Sequence, residues 1–130
     1  DMVRAVLEGV AFNSRWLLEA VEKFTDRPFP WINVVGGGGV SPVWAQIHAD
    51  VMNRPIRRVE NPIRANARGA ALLAGVALGA IDVSDLGAKV KVVEVHTPNP
   101  ANRKEYDRLY KAFRSMYKQN RSIHRKLNAH

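Results

Sequence analysis

The chain has no cysteine. That excludes a disulfide framework and cysteine-ligated zinc, and it removes any sign of an oxidising compartment. Histidine is scarce and scattered. His48, His96, His124 and His130 form no His-x-x-x-His pair that would set two metal ligands on one helix face. The longest apolar stretch, Ala70 to Ile81, is interrupted by Gly75 and Gly79 and falls short of the roughly 20 residues a membrane span needs. No basic-then-apolar signal pattern opens the sequence. Together these absences predict a cytoplasmic protein with no membrane partner. The 130 residues make about one domain, too few for a cleft between two lobes of ordinary size. The chain begins at Asp1, directly in a helical pattern, as a piece of something longer would.

Basic charge is plentiful, and its placement matters more than its size. Of the net +8, the segment from Arg103 to His130 carries +7 and everything before it +1. Basic residues interleaved with Tyr106, Tyr110, Phe113 and Tyr117 could form a nucleic-acid arm. The helical spacing of Tyr106, Leu109, Tyr110, Phe113, Met116 and Tyr117 favours a plainer reading, a buried stripe with the cations on the solvated face.

The elements alternate. Met2 to about Phe24 reads as an amphipathic helix whose apolar face is Val3, Val6, Leu7, Val10, Leu17 and Val21, with Gly9 set for close packing against a neighbour. Trp31 to Val35 is a short strand. A helix starts at Ser41-Pro42, serine as N-cap and proline in the first turn. Its apolar line is Val43, Ile47 and Val51, and Asn53-Arg54-Pro55 stops it. Ile56 to Glu60 is a second strand, and Asn61-Pro62 a turn. Arg64 to about Leu78 is a helix apolar almost all round, a pattern that predicts burial, with Gly79 at its end. Lys89 to Val95 is a candidate third strand, and the basic helix closes the chain. The order predicts an α/β fold.

Between the first strand and the second helix stand Gly36, Gly37, Gly38 and Gly39. A run without Cβ atoms lets backbone approach a ligand, and the helix that follows presents free N–H groups and a positive dipole end that favour phosphate. Gly36 to Ser41 therefore reads as an anion cradle or a platform for a nucleotide. The Gly-Lys-Ser/Thr ending of a P-loop is missing. A dinucleotide fingerprint nearly fits, with Glu60 in the place of the ribose acid, but Ser41 replaces its third glycine. A dinucleotide-binding module of an oxidoreductase and a basic nucleic-acid-binding module remain the alternatives. Around the loop, Trp44 could stack on a base or pack in the core, and His48 could move a proton or simply be half-buried. Of Arg57 and Arg58, at most one could reach a phosphate, because neighbouring strand residues point to opposite faces.

Three stretches resemble the C-terminal domain of the FGGY-family carbohydrate kinases, xylulokinase-like members above all. Arg4 to Phe12 (RAVLEGVAF) resembles a helix of that domain. Gly36 to Val51 (GGGGVSPVWAQIHADV) resembles its adenosine-binding segment, and Gly69 to Ala74 (GAALLA) its alanine-rich helix. Pro100 to Leu127 resembles the tyrosine-rich terminal helix. The resemblance spans essentially the whole chain. It implies an incomplete part of an actin-like (ribonuclease H-like) ATPase domain: residues 1–130 as the C-terminal nucleotide-binding portion, the N-terminal sugar-binding domain absent. It implies ATP with Mg²⁺, the metal held mainly by parts outside this chain, and a sugar hydroxyl as phosphate acceptor. Gly36, Gly37, Gly38, Gly39 and Ser41 are then the nucleotide-binding residues, Gly37 and Gly38 through their backbone. The family's catalytic aspartate has no match here, and Asp26, Asp50, Asp82 and Asp85 inherit no catalytic role. The fragment alone is expected to be inactive. Exposed apolar surface on such a piece should promote self-association or docking to the missing part.

Overall fold

A computed structural model describes residues 2–129. Helix α1 (Met2–Thr25) leads through a loop to strand β1 (Ile32–Val34), a single 3₁₀ turn (Gly37–Val40), helix α2 (Pro42–Met52) and strand β2 (Ile56–Val59). A second 3₁₀ turn (Pro62–Arg64) enters helix α3 (Ala65–Ala77). Tight turns over Val83–Lys89 precede strand β3 (Val92–His96), and helix α4 (Arg103–Leu127) ends the chain. The sheet has the order β1-β2-β3, with β1 and β2 parallel and β2 and β3 antiparallel. A parallel pair needs a crossover, and α2 supplies it. The chain is thus an α/β fold.

Local signals account for most boundaries. The Ser41 side chain accepts the Trp44 N–H at 3.2 Å, and Pro42 opens α2 where a missing N–H costs nothing. Asn53 ends α2 with φ 52°, and Gly79 follows α3 with φ 70°. The third strand starts later than its spacing suggests. Asp82 accepts the N–H of Ser84 and opens a run of 3₁₀ turns that takes up Lys89.

Two small clusters hold the fold together. In the first, Ala11 and Phe12 of α1 meet Ile47 and Val51 of α2 and Tyr106 and Tyr110 of α4. Phe12 is ringed by Tyr106, Tyr110 and Phe113, with centroids 5.7 to 6.1 Å away. The two tyrosines turn their hydroxyls to α1: Tyr106 to Glu8 at 2.8 Å and Tyr110 to Glu19 at 2.7 Å. Burial first, then that carboxylate, pushes the Tyr110 phenol up to about 12. In the second cluster Ala45 and Ala49 of α2 lie on Ile56 of β2, beside Ile32 and Val34 of β1.

Several expectations about burial need correction. Of the expected apolar face of α1, Val3, Val6, Val10, Leu17 and Val21 are exposed and Leu7 is packed; beside Leu7, α1 turns Ala11, Phe12 and Trp16 to its neighbours. Apolar residues surround most of this helix, so periodicity alone did not select the covered side. A Cβ on Gly9 would meet nothing within 4 Å, so packing within this chain does not require that glycine. Helix α3 buries none of its residues. Its main neighbours are the Pro62–Arg64 turn and the Ile81 side chain, which folds back against Gly75. Val43 on α2 is also exposed. The α4 stripe is covered only as far as Phe113; Met116 and Tyr117 stand largely in solvent, although Tyr117 still meets Trp16 edge-on. The four N-terminal members of that stripe sit in or against the core, as the plainer reading of the basic segment requires.

Candidate functional site

The glycine loop divides into an open half and a packed half. A Cβ on Gly36 or Gly37 would meet nothing within 4 Å. One on Gly38 would strike the Trp44 ring at 2.6 Å, and one on Gly39 would strike Pro62 at 2.9 Å and the Val34 carbonyl oxygen at 3.0 Å. Gly36 needs its glycine for another reason, a φ of 77°. Gly36 N–H is fixed to the Pro62 carbonyl at 2.8 Å, Gly39 N–H to the Gly36 carbonyl, and Ser41 N–H to the Gly38 carbonyl. In such a turn the first N–H groups, those of Gly37 and Gly38, have no carbonyl partner within it. Gly37 is exposed.

The packed half makes a stability prediction. Gly39→Ala should destabilise the chain by about 1–3 kcal/mol, because the obstacle is partly backbone and cannot rotate away. Gly37→Ala should change stability by less than about 0.5 kcal/mol, since nothing stands in its way. Urea denaturation of the two variants checks the contrast. Equal effects would contradict the division.

Arg58 closes the loop from beneath. Its Nε donates to the Gly39 carbonyl at 3.0 Å and its Nη2 to the Val40 carbonyl at 2.8 Å, while Nη1 is paired with Glu94 of β3. The guanidinium is thus spent on the loop's own carbonyls and on Glu94. Arg57 points the other way and lies over the Trp31 ring, 4.8 Å from its centroid. The strand alternation holds, and the one arginine that reaches the loop serves its shape. Sequence reasoning missed this clamp; the Arg58 and Glu94 pairing is visible only once the antiparallel register is known.

The remaining candidates fall into place around α2. Trp44 packs against the first core cluster, covers Gly38 and lies tilted against His48 with ring centroids 5.4 Å apart, so its ring is committed to packing. His48 Nδ1 lies 3.0 Å from the Trp44 carbonyl. Burial lowers its imidazole pKa below the usual range, against the smaller opposing pull of that carbonyl. Ser41 stays beside the loop as the cap of α2. Glu60, at the end of β2, pairs with Lys91 at 3.0 Å. Among the described residues, no three His, Asp or Glu side chains converge to hold a metal. Also among them, no helix is long and apolar enough to cross a membrane.

Residues 1–78 match the FGGY family of carbohydrate kinases, C-terminal domain. The chain belongs to this family. Beyond the matched residues, likeness to FGGY kinases continues along nearly the whole chain. The xylulose kinase of Staphylococcus epidermidis RP62A is 31% identical over 125 residues, covering 95% of this chain and 25% of that protein. The glycerol kinase of Enterococcus casseliflavus is 32% identical over 116 residues, 88% of this chain and 22% of its own length. In three dimensions, the crystal structure of xylulose kinase from Rhodospirillum rubrum superposes with a TM-score of 0.76 at 35% identity, over 92% of this chain and 24% of that one. The chain therefore spans about a quarter of the length of these kinases.

Proposed function

We propose that this FGGY C-terminal domain is the nucleotide-holding part of an ATP-dependent carbohydrate kinase, folded as a portion of an actin-like (ribonuclease H-like) ATPase domain. The observation that carries the reading is the split glycine loop. Its rear half is packed to the limit of what a Cβ allows and clamped by Arg58, so the front half at Gly36 and Gly37 is held rigid and bare. Rigid backbone donors beside a helix N-terminus suit an adenosine or its phosphates. Gly37 and Gly38 offer the N–H groups, Gly36 the turn, and Gly39 and Ser41 the support behind them. The kinase as a whole would pass the ATP γ-phosphate to a sugar hydroxyl, chemistry in which positioning and charge stabilisation dominate. Mg²⁺ would take few ligands here: magnesium is ordinarily held by one or two carboxylates plus the phosphates themselves, and no carboxylate lies on the loop. The catalytic aspartate and the sugar contacts belong to other parts of such an enzyme, in the cytoplasm where ATP is supplied. A xylulose kinase and a glycerol kinase match this chain about equally well, which supports sugar choice being made outside it.

The test is an ATP titration of the ¹⁵N-labelled chain. ATP should shift the amide signals of Gly36 to Ser41 at millimolar concentration, NADH should not, and Gly37→Leu should weaken the effect at least tenfold, about 1.4 kcal/mol, without lowering Tm. The purified chain should show no sugar-dependent ATP turnover. Shifts centred elsewhere, or a preference for NADH, would replace the kinase reading with the dinucleotide one.

A further inference from the structure

We propose that Arg68 of α3 is a positioning residue for the glycine loop and acts on it through the Asn61-Pro62 turn. The inference deepens the nucleotide reading and rests on it for the effect on ATP; its geometric half stands without ATP. Helix α3 buries none of its residues, yet one of its side chains reaches back to the end of β2. Arg68 Nη2 donates to the Glu60 carbonyl and, at 3.2 Å, to the Asn61 carbonyl. These are the two carbonyls just before Pro62. Asn61 stands at φ 47°, a left-handed conformation that needs support in a residue other than glycine. A charged donor on a planar, pre-organised fork is well suited to hold two neighbouring carbonyls. The Asn61 carbonyl also accepts the Arg64 N–H at 3.0 Å, so Arg68 braces the 3₁₀ turn where it begins.

Pro62 carries the constraint to the loop. Its carbonyl accepts the Gly36 N–H at 2.8 Å and also the N–H of Ala65, the first residue of α3. Its ring is one of the two obstacles that a Cβ on Gly39 would strike. Both ends of the glycine run therefore take their place from one proline, and Arg68 fixes the two residues before it. A shift of that proline lengthens the Gly36 bond and re-aims the N–H groups of Gly37 and Gly38. Donors turned away from a phosphate lose strength steeply with angle, so the loop depends on its support as much as on its own glycines. Arg64 lines the same hollow as Arg68 and brings the same charge, but its side chain is exposed. The pair separates an effect of charge from an effect of position.

The experiment follows the ¹⁵N-labelled chain by amide exchange without ligand, then by ATP titration. Arg68→Met keeps the aliphatic stem and removes the donors. In it, exchange at the Gly36 amide should rise about tenfold while Ile47 in α2 keeps its rate and the chain its Tm. The ATP concentration that shifts Gly37 and Gly38 should rise about tenfold as well. Arg68→Lys, which restores a charged donor, should recover part of both. Arg64→Met, which removes the same charge, should leave both nearly unchanged. If ATP fails to move the loop signals of the unaltered chain, the nucleotide reading falls, and the Gly36 rate still decides the role of Arg68. An unchanged Gly36 rate in Arg68→Met overturns the proposal. So does faster exchange over the whole chain, or loss of folding, because Arg68 would then support the core. An equal response to Arg64→Met also overturns it, because Arg68 would then act by charge alone.

Discussion

Replacing Phe12 with alanine should lower the stability of the isolated chain by about 3–5 kcal/mol. Phe12 is the one aromatic ring that α1 sends fully into the first cluster, where it is 6% exposed. It touches Tyr106, Tyr110 and Phe113 of α4 at once. Removing it costs the transfer energy of the ring and leaves a cavity between the two helices. The Tyr106 and Tyr110 hydroxyl bonds to Glu8 and Glu19 lie on either side of that cavity, so they cannot both follow a collapse inward. A domain of this size commonly has 5–15 kcal/mol in total, and the loss is a large part of it. Urea denaturation followed by circular dichroism measures the change. Phe12→Leu should recover part of the lost stability. A Phe12→Ala change below about 1 kcal/mol would show that α4 is not docked on α1 through this ring.

That α4 docks by its N-terminal half was legible in part. The tyrosine spacing announces a stripe, and local chemistry announces where each helix starts and stops: Ser41 and Pro42, Asn53, Gly79. What the sequence does not hold is which side of an element will be covered. Helix α1 offers Val3, Val6, Leu7, Val10, Leu17 and Val21 on one face and Ala11, Phe12 and Trp16 beside it, and α2 and α4 cover the second set together with Leu7 of the first. Helix α3 is apolar enough to be buried, and among the described residues nothing large packs over it.

The candidate site shows the same limit at finer scale. Four identical letters mark a loop that must approach something closely. They do not distinguish Gly39, pressed against Val34 and Pro62, from Gly37, which faces open space. That difference arises because the Asn61-Pro62 turn, more than twenty residues away, folds back on the loop and takes the Gly36 N–H. The Arg58 clamp is equally non-local, since it needs β2 beneath the loop and Glu94 opposite. The resemblance to FGGY kinases located the loop. Only the packing says which of its residues are free to meet a ligand.

Asp50 is the second position where a large loss is expected, and its role is architectural. It is 5% exposed on α2, and one of its oxygens, Oδ1, accepts the Gln46 Nε2 and the Asn99 N–H, both at 2.8 Å. The other, Oδ2, accepts the Asn102 Nδ2, also at 2.8 Å. A single carboxylate thereby pins the turn that enters α4 to the last turn of α2. Hydrogen bonds to a charged acceptor contribute about 1.5–3 kcal/mol each, and orphaned donors add their own desolvation cost. Because Asn99 can regain water on its exposed side, the three bonds do not sum. Asp50→Ala should cost about 3 kcal/mol. Asp50→Asn should cost less, because its amide keeps one acceptor oxygen while setting an N–H₂ against a donor. The signature is positional as well as energetic. Amide exchange should accelerate first at Asn99 to Asn102 and the opening turn of α4, while α3 keeps its native rate. A uniform acceleration over the whole chain would mean that Asp50 supports the global core; no acceleration at Asn99 would mean that it pins nothing.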